Sequence, residues 1–302
     1  MSIDLFQRIE ISGEAGEEIV RPSLSFWQDV WRRFRSNWVA LTGLLLLIFI
    51  ALFAIFGPLL SSHTYYATNL ALKNQAPNHT FWFGTDDLGR DIFCRTCLGA
   101  RISLFVGIVA ALIDLLIGVL WGGIAALVGG RIDSMMMSIA NILNAIPYLL
   151  VVIMLMVVMG SGLFPIIVAL TFIGWIGMAR IVRGQLMQLR EQEFILAAIA
   201  LGASSRRILF KHLIPNAMGP IIVTMTLTIP AAIFTEAFLS FLGLGVQAPI
   251  ASWGTMASEG LPAMRYYPWR LFFPAVFISL TMLAFNLVGD GLRDALDPKL
   301  RR

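Results

Sequence analysis

From Ser134 to Ala179 the chain runs for 46 residues without a charged side chain, and from Trp38 to Leu60 for 23. Crossing a hydrocarbon layer ~30 Å thick takes about 20 apolar residues in a helix. The shorter run is one such span and the longer is two. Gly160, Ser161, Gly162 and Pro165 divide the longer run into a hairpin, and Pro147 is expected to kink its first arm. Composition agrees, with 58% apolar and 13% charged residues, against about 45–50% and about 25% in soluble domains. The fold class expected is all-α and polytopic.

Three further spans follow from the remaining apolar runs. Ile102 to Gly130 is apolar except for Asp114, Leu213 to Ser258 contains Pro220, Pro230, Glu236 and a Gly-rich re-entrant or loop-like stretch, and Leu271 to Gly289 is the last. The chain then divides into a cytoplasmic N-terminal segment 1–37, a first span 38–60, an external loop 61–100, a five-helix core 101–292 with a cytoplasmic loop 180–215, and a tail 293–302. Within the first segment, Phe26, Trp27, Val30, Trp31 and Phe34 recur at helical spacing beside bases. That pattern predicts an amphipathic helix lying at the membrane interface. Orientation follows from the bases: sixteen of the 22 fall on the termini, Arg131 and the 180–211 loop, and six on the opposite side. Lys and Arg concentrate on the cytoplasmic side, so both termini are expected inside the cell, with six spans between them.

The chain carries no recognisable catalytic centre. His63, His79 and His212 are scattered, no Gly-rich phosphate loop is followed by Lys-Ser or Lys-Thr, and no metal set is evident. Cys94 and Cys97 have no second pair or His cluster beside them and read as incidental thiols. Asp114 and Glu236 stand at membrane depth, where an acid costs roughly 2.5–3.5 kcal/mol on insertion scales. Each either lines a wet translocation path or is satisfied by neighbouring helices.

The most informative polar interruption is EFILAAIALGASSRRILFKHLIPN, residues 193–216. Small residues at 197, 198, 200, 202 and 203 precede Arg206, Arg207, Lys211 and Pro215. Ala197, Ala198, Leu201 and Ser205 are expected to share a helix face that another surface can approach. Gly202 removes side-chain bulk at a helix-propensity cost of roughly 1 kcal/mol. The plain alternative is a helical connector that happens to be rich in Ala and Gly.

This stretch resembles the EAA loop of ABC-importer permeases, with Ala197, Ala198, Gly202, Ile214 and Pro215 in register, Leu196 where the usual glutamate stands, and His212 where an aliphatic residue is usual. FGTDDLGRDIFCRTCLGARISLFVG, FLSFLGLGVQAPIASWGTM and FNLVGDGLRDALDPKLRR, together with the N-terminal WRRFRSNWVALTG block, resemble the C-type permeases of peptide importers. The match runs in order over nearly the whole chain and is nearer the oligopeptide than the dipeptide or nickel relatives. The resemblance implies a type I ABC-importer permease in the bacterial inner membrane. It implies a second, homologous permease chain as partner in a heterodimer, two ABC ATPase subunits or domains, an external substrate-binding protein, lipid around the spans and peptide as cargo. It implies no nucleic-acid partner. No cofactor is implied on this chain, since ATP and Mg would sit on the ATPases. Leu196, Ala197, Ala198, Leu201, Gly202, Ala203, Arg206, Arg207 and Pro215 would carry the ATPase contact. Phe83, Gly84, Asp86, Gly89, Arg90, Asp91 and Trp253 would face the binding protein, and Asp114 and Glu236 the path.

Two rival classes fit less well. A secondary transporter is expected to show repeats and mid-membrane ion sites, and neither is evident. An intramembrane enzyme needs a metal or nucleophile constellation that the sequence lacks. Reporter fusions test the topology: positions Gln75 and Ser258 are expected to report outside, and Arg190 and Arg302 inside. An external signal from Arg190 would reverse the orientation.

Overall fold

The structure, a computed structural model, describes residues 25–297. Arg8, Arg21 and the tail beyond Asp297 lie outside the described residues. Helix α1 (Phe26–Ser36) opens with a capping box in which Ser25 and Gln28 satisfy each other's backbone N–H groups. Its Val30 and Phe34 pack on Ala40, Val288, Ala295 and Leu296, while Trp27 and Trp31 stay exposed. The amphipathic helix expected from spacing is present. Asn37 ends α1 and caps α2 (Trp38–Leu60) by accepting from the Val39 and Ala40 N–H groups. Along α2, Ala40, Gly43, Ile50, Ala54 and Gly57 form the buried stripe, with Leu45, Phe49, Leu52 and Phe56 turned outward. Pro58 leaves the Ala54 carbonyl without its helical donor. Arg101 supplies one, its Nε donating to that oxygen at 2.6 Å and its Nη2 to the Ile55 carbonyl at 2.9 Å.

Helix α3 (Ile92–Val128) begins ten positions before the span start expected at Ile102, because Asp91 caps it through the Phe93 N–H. At about 1.5 Å per residue, its 37 residues exceed a bilayer core, so its first turns belong to the external layer. Its first nine residues replace what was expected to be the end of a loop. Cys94 and Cys97 lie in these turns as free, buried thiols. Gly129 ends the helix, and α4 (Gly130–Ala145) and α5 (Tyr148–Met159) follow as an apolar pair bent by 79° at Ile146 and Pro147. Gly160 and Gly162 make the hairpin into α6 (Leu163–Arg190). The kink and the hairpin both fall where the sequence predicted them.

Helices α3 and α6 approach most closely at small residues, the usual device where lipid supplies no hydrophobic drive between helices. A Cβ on Gly118 would come within 2.6 Å of Met178 Cβ, and one on Gly122 would strike the Ala179 carbonyl. An Arg183–Asp133 ion pair, two contacts of 2.5 Å, ties α6 to α4.

After α6 come α7 (Glu193–Ala200), the single turn α8 (Ser205–Arg207), a π-helical stretch over 208–213 and the single turn α9 (Ile214–Asn216). Helix α10 (Met218–Leu239) is the fifth span, extended by a π turn that breaks at Gly243, φ +82°. The chain then returns through α11 (Trp253–Gly260) to α12 (Trp269–Leu296). The fifth span thus stops well before Ser258, and the sixth is longer at both ends than 271–289. Five helices and the bent pair make up to six crossings.

The two ends of the bundle differ. One gathers α1, the last turn of α12, the start of α10 and the Arg190 end of α6, where Arg190 donates to the Ala126 carbonyl at 3.0 Å. The other carries the 61–91 segment and α11, held by an ion-pair lattice. Arg95, 2% exposed, pairs with Asp86 and with Glu259 at 2.8 Å. Arg90 pairs with Asp86 at 2.7 Å, and Arg270 with Asp87 at 3.1 Å. Burial pushes the Asp86 carboxyl upward, but the Arg95 charge, the Arg90 N–H and the Arg90 guanidinium outweigh it and hold the group below its ordinary value. A carboxylate depressed on folding stabilises fully at neutral pH and loses that contribution as pH falls through its folded value. Asp86→Asn leaves two buried guanidinium groups short of a counter-charge, a loss of about 3–5 kcal/mol for such pairs. The expected result is faster protease cleavage within 61–91 in vesicles with this face outward, and in the unsubstituted protein the same change as the medium falls below about pH 4. Equal cleavage under all conditions would deny the lattice this role.

Candidate coupling helix and translocation groove

Helix α7 is short and has an unusual outward composition. Ile195 alone is fully buried, in a cluster with Ala126, Met178, Val182, Leu186, Leu209, Leu213 and Ile221 from α3, α6, the π stretch and α10. Phe194, Leu196 and Ile199 are about half exposed, and Leu201 is 89% exposed. The helix closes with a Schellman motif: Gly202 N–H donates to the Ile199 carbonyl at 2.9 Å and Ala203 N–H to the Ala198 carbonyl at 3.0 Å. Gly202 therefore stands just past the helix at φ +78°, with open space around its missing side chain. Two sequence expectations change with this. Gly202 is a turn residue in the left-handed region, so helix propensity is not what its substitution alters. Ser205 begins the next turn, capped by Ser204, and does not continue the Ala197–Leu201 face.

Leu196, Ala197, Leu201 and Gly202 stand together at the tip, with Ala198 and Ala203 partly covered behind them. Arg206 and Arg207 are exposed beside them. Pro215 is exposed on α9 just beyond the π stretch, as fits a ring that has no N–H to give the preceding turn. The π stretch presents Ile208, Leu209 and Leu213 to the Ile195 cluster. The tip is thus joined to three spans through one packed apolar unit. Sequence reading found the tip but missed Ile195, whose role shows only when the neighbouring helices are in place.

The external candidates turn inward. Trp253 is 0% exposed, donates from Nε1 to the Thr96 carbonyl at 3.0 Å and abuts Gly99. Phe83 stacks on Phe273 with centroids 3.9 Å apart. Gly84, Asp86, Gly89, Arg90 and Asp91 are buried. This set forms the interior of the external layer, because its charges pair with one another and its rings pack together. The groups it leaves open to a partner are Trp82, Asp87, Leu88, Met264 and Tyr266.

The two intramembrane acids separate. Glu236 is 0% exposed and accepts from Ser103 Oγ at 2.9 Å and Ser240 Oγ at 2.7 Å, with Ser252 Oγ behind Ser240. It joins α3, α10 and the cap of α11, the satisfied alternative of its two expected readings, and lines no cavity among those described. Asp114 does line one. A groove of about 670 Å³ runs between α3, α5, α6, α10 and α12, walled by Asp114, Tyr148, Gly174, Thr224, Thr228 and Thr235 among apolar neighbours, with Arg293 at one end. Thr224 and Thr228 donate to the carbonyls four residues back, at 2.8 and 2.9 Å, which leaves oxygen lone pairs for the groove. Spacing of these threonines by four and seven residues, which puts them on one helix face, was the available sequence signal.

The chain matches two family models. Residues 115–302 match the binding-protein-dependent transport system inner membrane component, and residues 25–77 match the N-terminal TM domain of oligopeptide transport permease C. It is 61% identical over 299 residues to the oligopeptide transport system permease protein OppC of Bacillus subtilis (strain 168), covering 99% of this chain and 98% of that one. The dipeptide transport system permease protein DppC of the same organism is also 61% identical, over 287 residues, covering 95% and 90%. OppC of Escherichia coli (strain K12) is 46% identical over 92% of each chain. The MetNI methionine ABC transporter, in an inward-facing structure, superposes with a TM-score of 0.58 over 68% of this chain and 98% of that one, at 21% identity, a likeness of fold. The all-α bundle, the loop signature and these matches together make the chain a member of the binding-protein-dependent inner-membrane transport components, the permease subunit of an ABC importer.

Proposed function

We propose that this permease carries peptides inward across the membrane, oligopeptides first among them, with α7 seated in a groove of a separate ATPase. The observation that carries the coupling role is the Schellman-capped tip: Leu196, Ala197 and Leu201 face outward while Ile195 is locked into the cluster behind. An apolar tip on a helix this short has no lipid to meet at the cytoplasmic end, so a protein surface is the fitting cover. A push on it passes through Ile195 to α3, α6 and the start of α10 as one body, since packed cores transmit strain rather than absorb it. ATP and Mg belong to the ATPase, and this chain does no chemistry on them. A second permease completes the pore, and an external binding protein delivers cargo against Trp82, Leu88 and Tyr266. The oligopeptide assignment rests on OppC, which matches nearly end to end. Dipeptides are the second reading, favoured by the equal identity to DppC.

Substitutions at Gly202 separate bulk from backbone strain. Gly202→Ala puts a side chain at positive φ, a strain of roughly 1–2 kcal/mol, but meets nothing within 4 Å. Gly202→Trp carries the same strain and adds a ring that holds the partner off. The expected outcome is normal membrane level for both. Ala is expected to retain most ATPase co-purification and peptide-stimulated hydrolysis, and Trp to lose both more than tenfold. Gly202→Asn, which tolerates the left-handed region, is expected to follow Ala. Full binding and uptake in the Trp variant would return the loop to a plain connector. Competition of labelled tetrapeptide uptake by dipeptide decides between the two cargo readings.

A further inference from the structure

Asp114 has a feature that packing does not explain. Its side chain is on a residue only 4% exposed, yet Oδ1 has no hydrogen-bond partner, and the group lines the groove. The phenol oxygen of Tyr148 is likewise buried and unpartnered on the same wall, within electrostatic reach of Asp114. Elsewhere at this depth the fold does satisfy its acid, giving Glu236 two hydroxyl donors. A buried acceptor left without a donor is destabilising, the more so if charged.

The space for the carboxyl is also built. Gly174 of α6 lies directly over it: a Cβ there would strike Oδ2 and come within 2.9 Å of Oδ1 and Cγ. Any other residue at 174 would displace the carboxyl or cover it. Gly174 is itself exposed and lines the same groove, so the carboxyl occupies, beside the groove, the space that a side chain at 174 would take. The surrounding lining is largely apolar, with Leu170, Ile173, Ala231 and Ala232 nearby.

Two oxygen acceptors at the bottom of an apolar groove suit a compact donor with several N–H groups. We propose that Asp114 and Tyr148, reached past Gly174, form a subsite for a primary ammonium group of the transported peptide. This rests on the peptide-permease reading. The carboxylate would take one N–H and the charge, and the Tyr148 oxygen a second N–H. An α-ammonium is common to unblocked peptides whatever their side chains, so a single such subsite engages cargo without selecting sequence. A lysine side chain presents the same chemistry.

The experiment uses the full assembly in proteoliposomes, with the binding protein present and its peptide affinity measured separately. Uptake is compared for a lysine-free tetrapeptide, its N-acetyl form, and an N-acetyl form carrying one lysine. Asp114→Asn is expected to lower the ratio of free-amine to N-acetyl uptake about tenfold, the scale of a hydrogen bond to a charged group, with free-amine uptake falling far more than N-acetyl uptake. Gly174→Ala is expected to reproduce that pattern with the aspartate still present. Sensitivity in the lysine-bearing N-acetyl peptide would extend the site to side-chain ammonium, and its absence would confine the site to the peptide terminus. Equal loss of free and blocked peptides in an assembled Asp114→Asn complex would make Asp114 structural and overturn the subsite, as would no loss of either. If the unsubstituted assembly takes up none of these peptides, the cargo reading fails instead.

Discussion

In hydrocarbon an unpaired backbone N–H or C=O costs several kcal/mol, and no water is present to relieve it. That constraint explains why the described spans are helical and why the interruption at Pro58 is compensated. Pro58 frees a carbonyl, and Arg101 crosses from α3 to bond it. The break at Ile146 and Pro147 turns α4 into α5, and Tyr148 arrives on the groove wall as a consequence. The same constraint acts on side chains. Glu236 is admitted to the interior with two serine donors around it, whereas Asp114 is admitted with one oxygen unmatched, and it is the one that faces a cavity.

Helix pairing follows from the absence of a hydrophobic drive between lipid-covered helices. Gly118 and Gly122 let α3 and α6 meet at van der Waals distance. Their cytoplasmic ends then share one apolar cluster with Ile195 of α7 and the π stretch. The external layer uses a different principle, charge pairs closed around buried Arg95 and aromatic stacking around Phe83. A permease built this way has two stiff ends and a groove between them, an arrangement suited to alternating access driven from the cytoplasmic side.

The spans, the hairpin at Gly160 to Pro165, the kink at Pro147 and the amphipathic α1 were legible because composition and helix breakers act locally. The start of α3 at Ile92 was not, because Phe93, Cys94 and Arg95 look like loop residues until the external layer covers them. The external motif residues were legible as a block but not in their role: a run containing Asp86, Arg90 and Asp91 reads as surface, and only tertiary pairing buries it. The 193–216 stretch stands out by its small residues, yet the left-handed φ of +78° at Gly202 is not legible there, because it depends on the Schellman closure. Asp114 and Glu236 look alike in sequence. Their difference lies in Ser103 and Gly174, each on another helix, and in Ser240, one turn on from Glu236.

The proposed cover of the α7 tip by an ATPase is open to direct test. Leu201, 89% exposed in this chain alone, gives the most direct reading. With Cys94 and Cys97 free but buried, a Leu201→Cys variant offers one accessible thiol among the described residues, and its rate of labelling by a bulky maleimide can be followed in permease alone and in the full complex. The account predicts labelling in the isolated permease and strong protection once the ATPase is bound. Equal labelling in both states, with the ATPase demonstrably assembled, would contradict it.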